Sequence, residues 1–284
     1  MAFDPTRIPD KLKESYREKR CAVLVGAGAS AGARLPLWGQ FLEQMIFEAE
    51  RHKVIDSSKA KEYRDLVIQP SKYLMVASGL KQELRVYFDE FINKTFIAPK
   101  PAPTALHRAL VALDRIQFVL TTNYDTILER TYRTKDPDVA VCTFSDAGEV
   151  QRRLSKREFF ILKAHGDAAK AGNGIILTDV DYRNILFRQR AYQSLLSAMF
   201  TMFTVIFIGA SMTDPEIKLL LDYIVDSFTP GSGPSHFALM AAEDITQVER
   251  ERWFSDFNIQ VIPISKADEY AELTEFLIAL QKVL

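Results

Sequence analysis

Two segments end apolar runs in side chains able to do chemistry: "LTTNYD" at 120–125 and "LKAHGD" at 162–167. In each, a run suited to a buried strand gives way at once to polar groups, Asn123 and Asp125 in one, His165 and Asp167 in the other. Residues at the carboxyl end of a central parallel strand face the crevice where α/β sheets receive ligands. Asn123 offers an amide that can both donate and accept, and His165 an imidazole suited to moving protons near neutral pH. Asp125 has a second reading, as a cap for the helix that follows.

Two more segments place small residues where backbone can approach a ligand. "CAVLVGAGASAGARLPLW" at 21–38 breaks an apolar run with Gly26-x-Gly28-x-x-x-Gly32. A strand, a glycine turn and a helix start form a phosphate site, because bare backbone approaches the oxygens and the helix N-terminus is partly positive. The spacing is one residue longer than the dehydrogenase fingerprint, and no isolated acidic residue closes a second strand, which disfavours hydride transfer. A tight turn without a ligand is the alternative. "IFIGASMTDPEI" at 206–217 repeats the pattern, with Asp214 and Pro215 as a helix start.

The elements that must position these residues are legible from periodicity. Strands are expected at 21–25, 117–121, 159–163, 204–208, 236–240 and 259–264, and helices at 38–52, 104–114, 125–133, 190–203, 214–228 and 267–283. Near-continuous apolar strands alternating with helices predict a Rossmann-like α/β doubly wound, mostly parallel sheet. A helical insertion at roughly 53–103 interrupts one domain spanning 1–284. The proline cluster at 98–103 and the loop at 229–235 read as turns, not domain linkers.

Composition narrows the function classes. The 284 residues are 48% hydrophobic, ample for a core, and 36 Lys and Arg against 37 Asp and Glu leave a net charge of -1. That balance gives no reason to expect binding to nucleic acid or an anionic membrane. Cys21 and Cys142 supply neither a disulfide framework nor a four-thiolate zinc site, which fits a reducing compartment. A charged N-terminus and the lack of any run long enough to span a bilayer predict a cytoplasmic protein.

In this order the four segments resemble the sirtuin family, and within it the bacterial sirtuin-like domains of antiphage defence proteins. Gly26, Ala27, Gly28, Ser30 and Pro36 look like the sirtuin glycine turn; Thr121, Thr122, Asn123, Tyr124 and Asp125 like its Thr-Gln-Asn-x-Asp element; His165 and Gly166 like its His-Gly pair; Gly209, Ala210 and Ser211 like its Gly-Thr-Ser turn. The departures also inform. Leu37 and Trp38 follow Pro36 where deacetylases carry Asp-Phe-Arg, Arg34 stands where glycine is common, and the four-cysteine zinc module is missing.

The resemblance implies cleavage of NAD+ to nicotinamide and ADP-ribose without a metal. It assigns Asn123 to orienting ribose and water, and His165 to general base. Asp125 would hold the carboxamide, Gly26, Ala27, Gly28 and Ser30 the pyrophosphate, and Gly209 and Ser211 the adenosine side. It also implies restraint by homo-oligomerisation or a separate regulator, of the HerA-type ATPase or Argonaute type. Lysine deacylation or ADP-ribosyl transfer is a competing reading, as is a non-catalytic nucleotide-binding subunit. His52, His107 and His236 read as structural or exposed. Trp38 could wall the pocket or begin a helix face, and Tyr182 could belong to a flap or simply pack.

Overall fold

The computed structural model describes residues 3–170, 174–210, 212, 221, 222 and 233–283. Among them, the strands β1 Cys21–Val25, β2 Ile116–Thr121, β3 Ala140–Thr143, β4 Phe160–Lys163, β5 Thr204–Ile208, β6 His236–Ala241 and β7 Ile259–Ile264 form one sheet. Their order is β3-β4-β2-β1-β5-β6-β7, and every pairing is parallel. The sheet is therefore wholly parallel where a mostly parallel one was expected.

Alternation along each strand divides the core in two. Cys21, Val23 and Val25 of β1 enter one apolar cluster and Ala22 and Leu24 the other. Leu110 of the helix Ala105–Ala112 and Leu277 of Ala267–Gln281 close the first cluster; Leu196 and Phe200 of Arg190–Met202 close the second. With both faces covered, these strands carry almost no polar alternation. Each such Leu or Phe side chain, fully buried, contributes about 1.5–3 kcal/mol.

β3 escaped the sequence reading for a physical reason: it is an edge strand whose first two residues are only half-buried. The helices Ala147–Lys156 and Gln247–Phe257 were also missed. Both are highly charged, and Val150 alone is buried in the first and no residue in the second. The helix expected at 214–228 lies outside the described residues except at 221 and 222.

A third apolar cluster belongs to a helical block. Trp38–Arg51 packs on Ser57–Val67 and Tyr73–Leu84, burying Leu42, Ile46, Ala77 and Leu80 completely. The block thus joins the helix expected at 38–52 to the helices that follow it. Tyr124 and Ile127 join the same cluster, which anchors the loop after β2 against the block. Among the described residues, no helix is long and apolar enough to cross a membrane.

His236 opens β6 and is buried; its Nδ1 accepts the Val205 N–H at 3.1 Å. Burial pushes its pKa down to about 4 from the ordinary 6.5. Between those values the unfolded chain holds a proton that the folded chain refuses, so acid erodes stability there. Unfolding free energy should fall through this group by about 1.4 kcal/mol per pH unit from pH 6.5 down to about 4. Denaturant titrations of the wild type and His236→Asn, which keeps an acceptor for Val205 but does not titrate, should diverge by that slope. A pH-independent difference would remove His236 from the account.

Candidate active site

The four segments singled out in the sequence emerge side by side. Val25 pairs with Thr121 on one side and Ile208 on the other, and Thr121 pairs with Lys163, so β1, β2, β4 and β5 end in one row. The ladder continues one step past the strands: Gly26 N–H donates to Ile208 O at 3.0 Å, Thr122 N–H to Val25 O at 3.2 Å and Ala164 N–H to Thr121 O at 2.9 Å. The flanking strands β2 and β5 lie on opposite sides of β1, and such a switch point is where an open α/β sheet leaves a crevice.

The glycine turn after β1 locks against the turn after β5. Gly28 N–H donates to Gly209 O at 2.8 Å, and a Cβ on Gly28 would stand 2.8 Å from that oxygen. Gly209 has φ +60°, and a Cβ there would meet Ala29 N at 2.3 Å. These glycines are required by backbone meeting backbone, a reason the sequence reading did not supply. The N–H groups of Gly26, Gly28, Ala29 and Ser30 are all spent within the protein, Ala29 on Gly26 O and Ser30 on Ala27 O. To meet a phosphate they must exchange those bonds. Arg34, at φ +65°, occupies a left-handed position that suits glycine better, so its departure from the sirtuin pattern carries a backbone cost. Ser211 lies outside the described residues.

Asn123, Ser30 and Asp125 form one buried network. Asn123 Nδ2 donates to Gly26 O at 3.2 Å and to Ser30 Oγ at 3.1 Å, and Ser30 Oγ donates to Asp125 Oδ2 at 2.9 Å. Asp125 Oδ1 accepts the Ile127 N–H at 2.9 Å, so the capping reading of Asp125 is realised at the start of the helix Ile127–Tyr132. The one proton of the Ser30 hydroxyl already goes to a carboxylate. Asn123 Oδ1 is buried with no partner among the described residues. A buried acceptor left open in this way is costly.

His165 follows β4 and is buried, with its Nδ1 3.3 Å from the Tyr182 hydroxyl and the two rings edge to face at 5.2 Å. Tyr182 therefore packs directly on His165. Gly166 turns the chain at φ +87°. Trp38 fills both roles foreseen for it. It begins the helix Trp38–Arg51, and with Ala27, Ser30, Pro36, Asn123 and Tyr124 it lines a cavity of about 50 Å³. That volume holds a few waters at most and is far below the roughly 300–1,000 Å³ of a site closed around a drug-sized ligand. His107 is structural, its Nδ1 2.8 Å from Thr104 Oγ1 at a helix start, and His52 stacks on Tyr87 at 3.8 Å.

The sequence reading missed Lys163, the residue before Ala164 and His165. It is fully buried, and its Nζ donates to Tyr124 O at 3.1 Å, Asp125 O at 2.6 Å, Glu129 Oε1 at 2.6 Å and Asp167 Oδ1 at 3.0 Å. Burial alone would depress its pKa, but the Glu129 and Asp167 charges outweigh burial and hold it above the ordinary lysine value. Burial also pushes the Glu129 carboxyl up. The ammonium thus stays charged while Glu129 is the carboxylate held ionised with difficulty. The available signal was a charged residue closing an otherwise apolar strand. No group of three or more His, Cys, Asp and Glu side chains that could hold a metal is found among the described residues.

A wholly parallel sheet with a glycine turn and polar loops at its switch point defines a doubly wound α/β protein of the Rossmann-like class. The chain belongs to the SIR2-like domain family, whose profile matches residues 117–262. It is 26% identical over 289 residues to the NAD(+) hydrolase ThsA of Bacillus cereus (strain MSX-D12), covering 95% of this chain and 55% of that one. It is 25% identical over 219 residues to the defense-associated sirtuin 2 of Bacillus subtilis, covering 75% of this chain and 20% of that one. The chain thus spans about half the length of the first of these curated relatives and a fifth of the second. A solved structure of Sir2Tm bound to a propionylated peptide overlaps 95% of each chain with a TM-score of 0.48 and 12% identity.

The interlocked turns generate a matched pair of substitutions. Gly28→Ala forces Cβ to 2.8 Å from Gly209 O, whereas a Cβ at Gly32 meets only Thr104 Cγ2 at 3.6 Å. Gly28→Ala should lose about 1–3 kcal/mol of stability, and Gly32→Ala should lose none, both read from denaturant midpoints. Equal midpoints for the two variants would mean that the Gly28–Gly209 contact is not a constraint.

Proposed function

We propose that this chain hydrolyses NAD+ to nicotinamide and ADP-ribose, as one SIR2-like domain with its helical block. The observation that carries this reading is Asn123: its Nδ2 is committed to Gly26 and Ser30, its Oδ1 is buried without a partner among the described residues, and the residue lines the small cavity at the switch point. An acceptor fixed in that way can hold a water or a ribose hydroxyl. The printed activity of the Bacillus cereus relative supports the same substrate.

The bond broken joins the ribose C1′ to the nicotinamide nitrogen. Its electron pair leaves with the ring, which becomes neutral and needs no proton from the protein. Water oxygen bonds to C1′ and gives up a proton, for which His165 is the base, directly or through a ribose hydroxyl. Tyr182, against Nδ1, holds the ring. The pyrophosphate meets the turn Gly26, Ala27, Gly28 and Ser30 once its internal bonds exchange, and Gly209 borders the adenosine side. Asp125 receives the carboxamide through lone pairs left on its carboxylate. No metal takes part in this scheme.

An unrestrained enzyme of this kind would exhaust its own cell's NAD+. The reading therefore includes control through self-association or a separate regulator, such as a HerA-type ATPase or an Argonaute-type partner, in an antiphage setting in the cytoplasm.

Asn123→Ala and His165→Ala should each lower NAD+ turnover by about two to four orders of magnitude while the fold and much of the NAD+ affinity remain. Turnover by chromatography, thermal unfolding and NAD+ titration on each variant check this together. Wild-type turnover by folded His165→Ala would make nucleotide sensing the better reading.

A further inference from the structure

Lys163 closes β4 with its side chain wholly out of water. Removing an ammonium from water is costly, and well-packed apolar residues in place of a buried ion pair are often as stable or more so. Stability alone therefore gives little reason for a lysine here. The origin of its partners gives a better one. Tyr124 O and Asp125 O follow Asn123 in the loop after β2, and Glu129 lies in the helix that continues this loop. Asp167 follows His165 by two residues in the loop after β4.

The ammonium thus draws together the two loops that carry Asn123 and His165. The ladder between β2 and β4 ends at Ala164 N–H on Thr121 O, and the next direct backbone bond, Ala168 N–H to Tyr124 O, is long at 3.4 Å. In the space between, Lys163 spans from one loop to the other. Its three protons face four acceptors, two of them anionic, so it is held in one position.

We propose that Lys163 is a positioning residue, whose buried charge sets Asn123 and His165 at the separation the reaction needs. The proposal rests on the NAD+ hydrolysis argued above. Misplacing a reacting group by about an ångström can cost roughly a hundredfold in rate, whereas only the carboxamide contact of Asp125, and not the nucleotide affinity drawn from the turns after β1 and β5, passes through Lys163.

The test is Lys163→Met, which keeps length and removes charge, beside Asp167→Asn, which keeps an acceptor and removes one anion. Lys163→Met should lower kcat by about a hundredfold while the NAD+ dissociation constant rises far less, and Asp167→Asn should lower kcat less. Amide exchange at 122–126 and 165–168 should quicken in both variants. A folded Lys163→Met with wild-type kcat, or with affinity and kcat lost in equal proportion, overturns the proposal. Should Lys163→Met not fold, wild-type kcat in Asp167→Asn overturns it instead. Were the wild type to leave NAD+ intact, the hydrolase reading would fall separately, and unchanged exchange in the variants would then overturn the joining of the loops.

Discussion

Val25, Thr121, Lys163 and Ile208 are register partners across four neighbouring parallel strands. Because the strands run the same way and stop in the same row, the turns that follow must meet at one edge of the sheet. That alignment brings together Gly28 and Gly209, Asn123 and Ser30, and Lys163 and Asp125. A slip of one residue in any of the four would exchange its side chains between the two apolar clusters and would part these contacts. The apolar filling of both sheet faces is what fixes the register.

Above that row the site is held by polar bonds together with the apolar packing of Tyr124 and Ile127 on the helical block. In the turn after β1 the N–H groups of Gly26, Gly28, Ala29 and Ser30 bond within the turn or to Ile208 and Gly209, Ser30 gives its proton to Asp125, and Lys163 is saturated.

Much of this was legible in the sequence because it is written locally. Apolar runs broken by glycine, or ended by Asn123 or His165, announce strand ends wherever they occur, and the parallel sheet follows from their alternation with helices. What escaped depends on residues far apart in the chain. Nothing near Lys163 points to Glu129, and nothing near Gly28 points to Gly209, until folding joins them. β3 was hidden by its half-exposed edge.

The central claim is that the open acceptor of Asn123 and the imidazole of His165 serve hydrolysis of NAD+ without any acylated peptide. Its most direct measurement is chromatography of NAD+ incubated with the purified chain over a wide range of chain concentration, with and without an acetyl-lysine peptide. The account predicts nicotinamide and ADP-ribose in equal amounts, unaffected by the peptide. Intact NAD+ at every concentration, or cleavage only with the peptide and with transfer of its acetyl group to ADP-ribose, would contradict it.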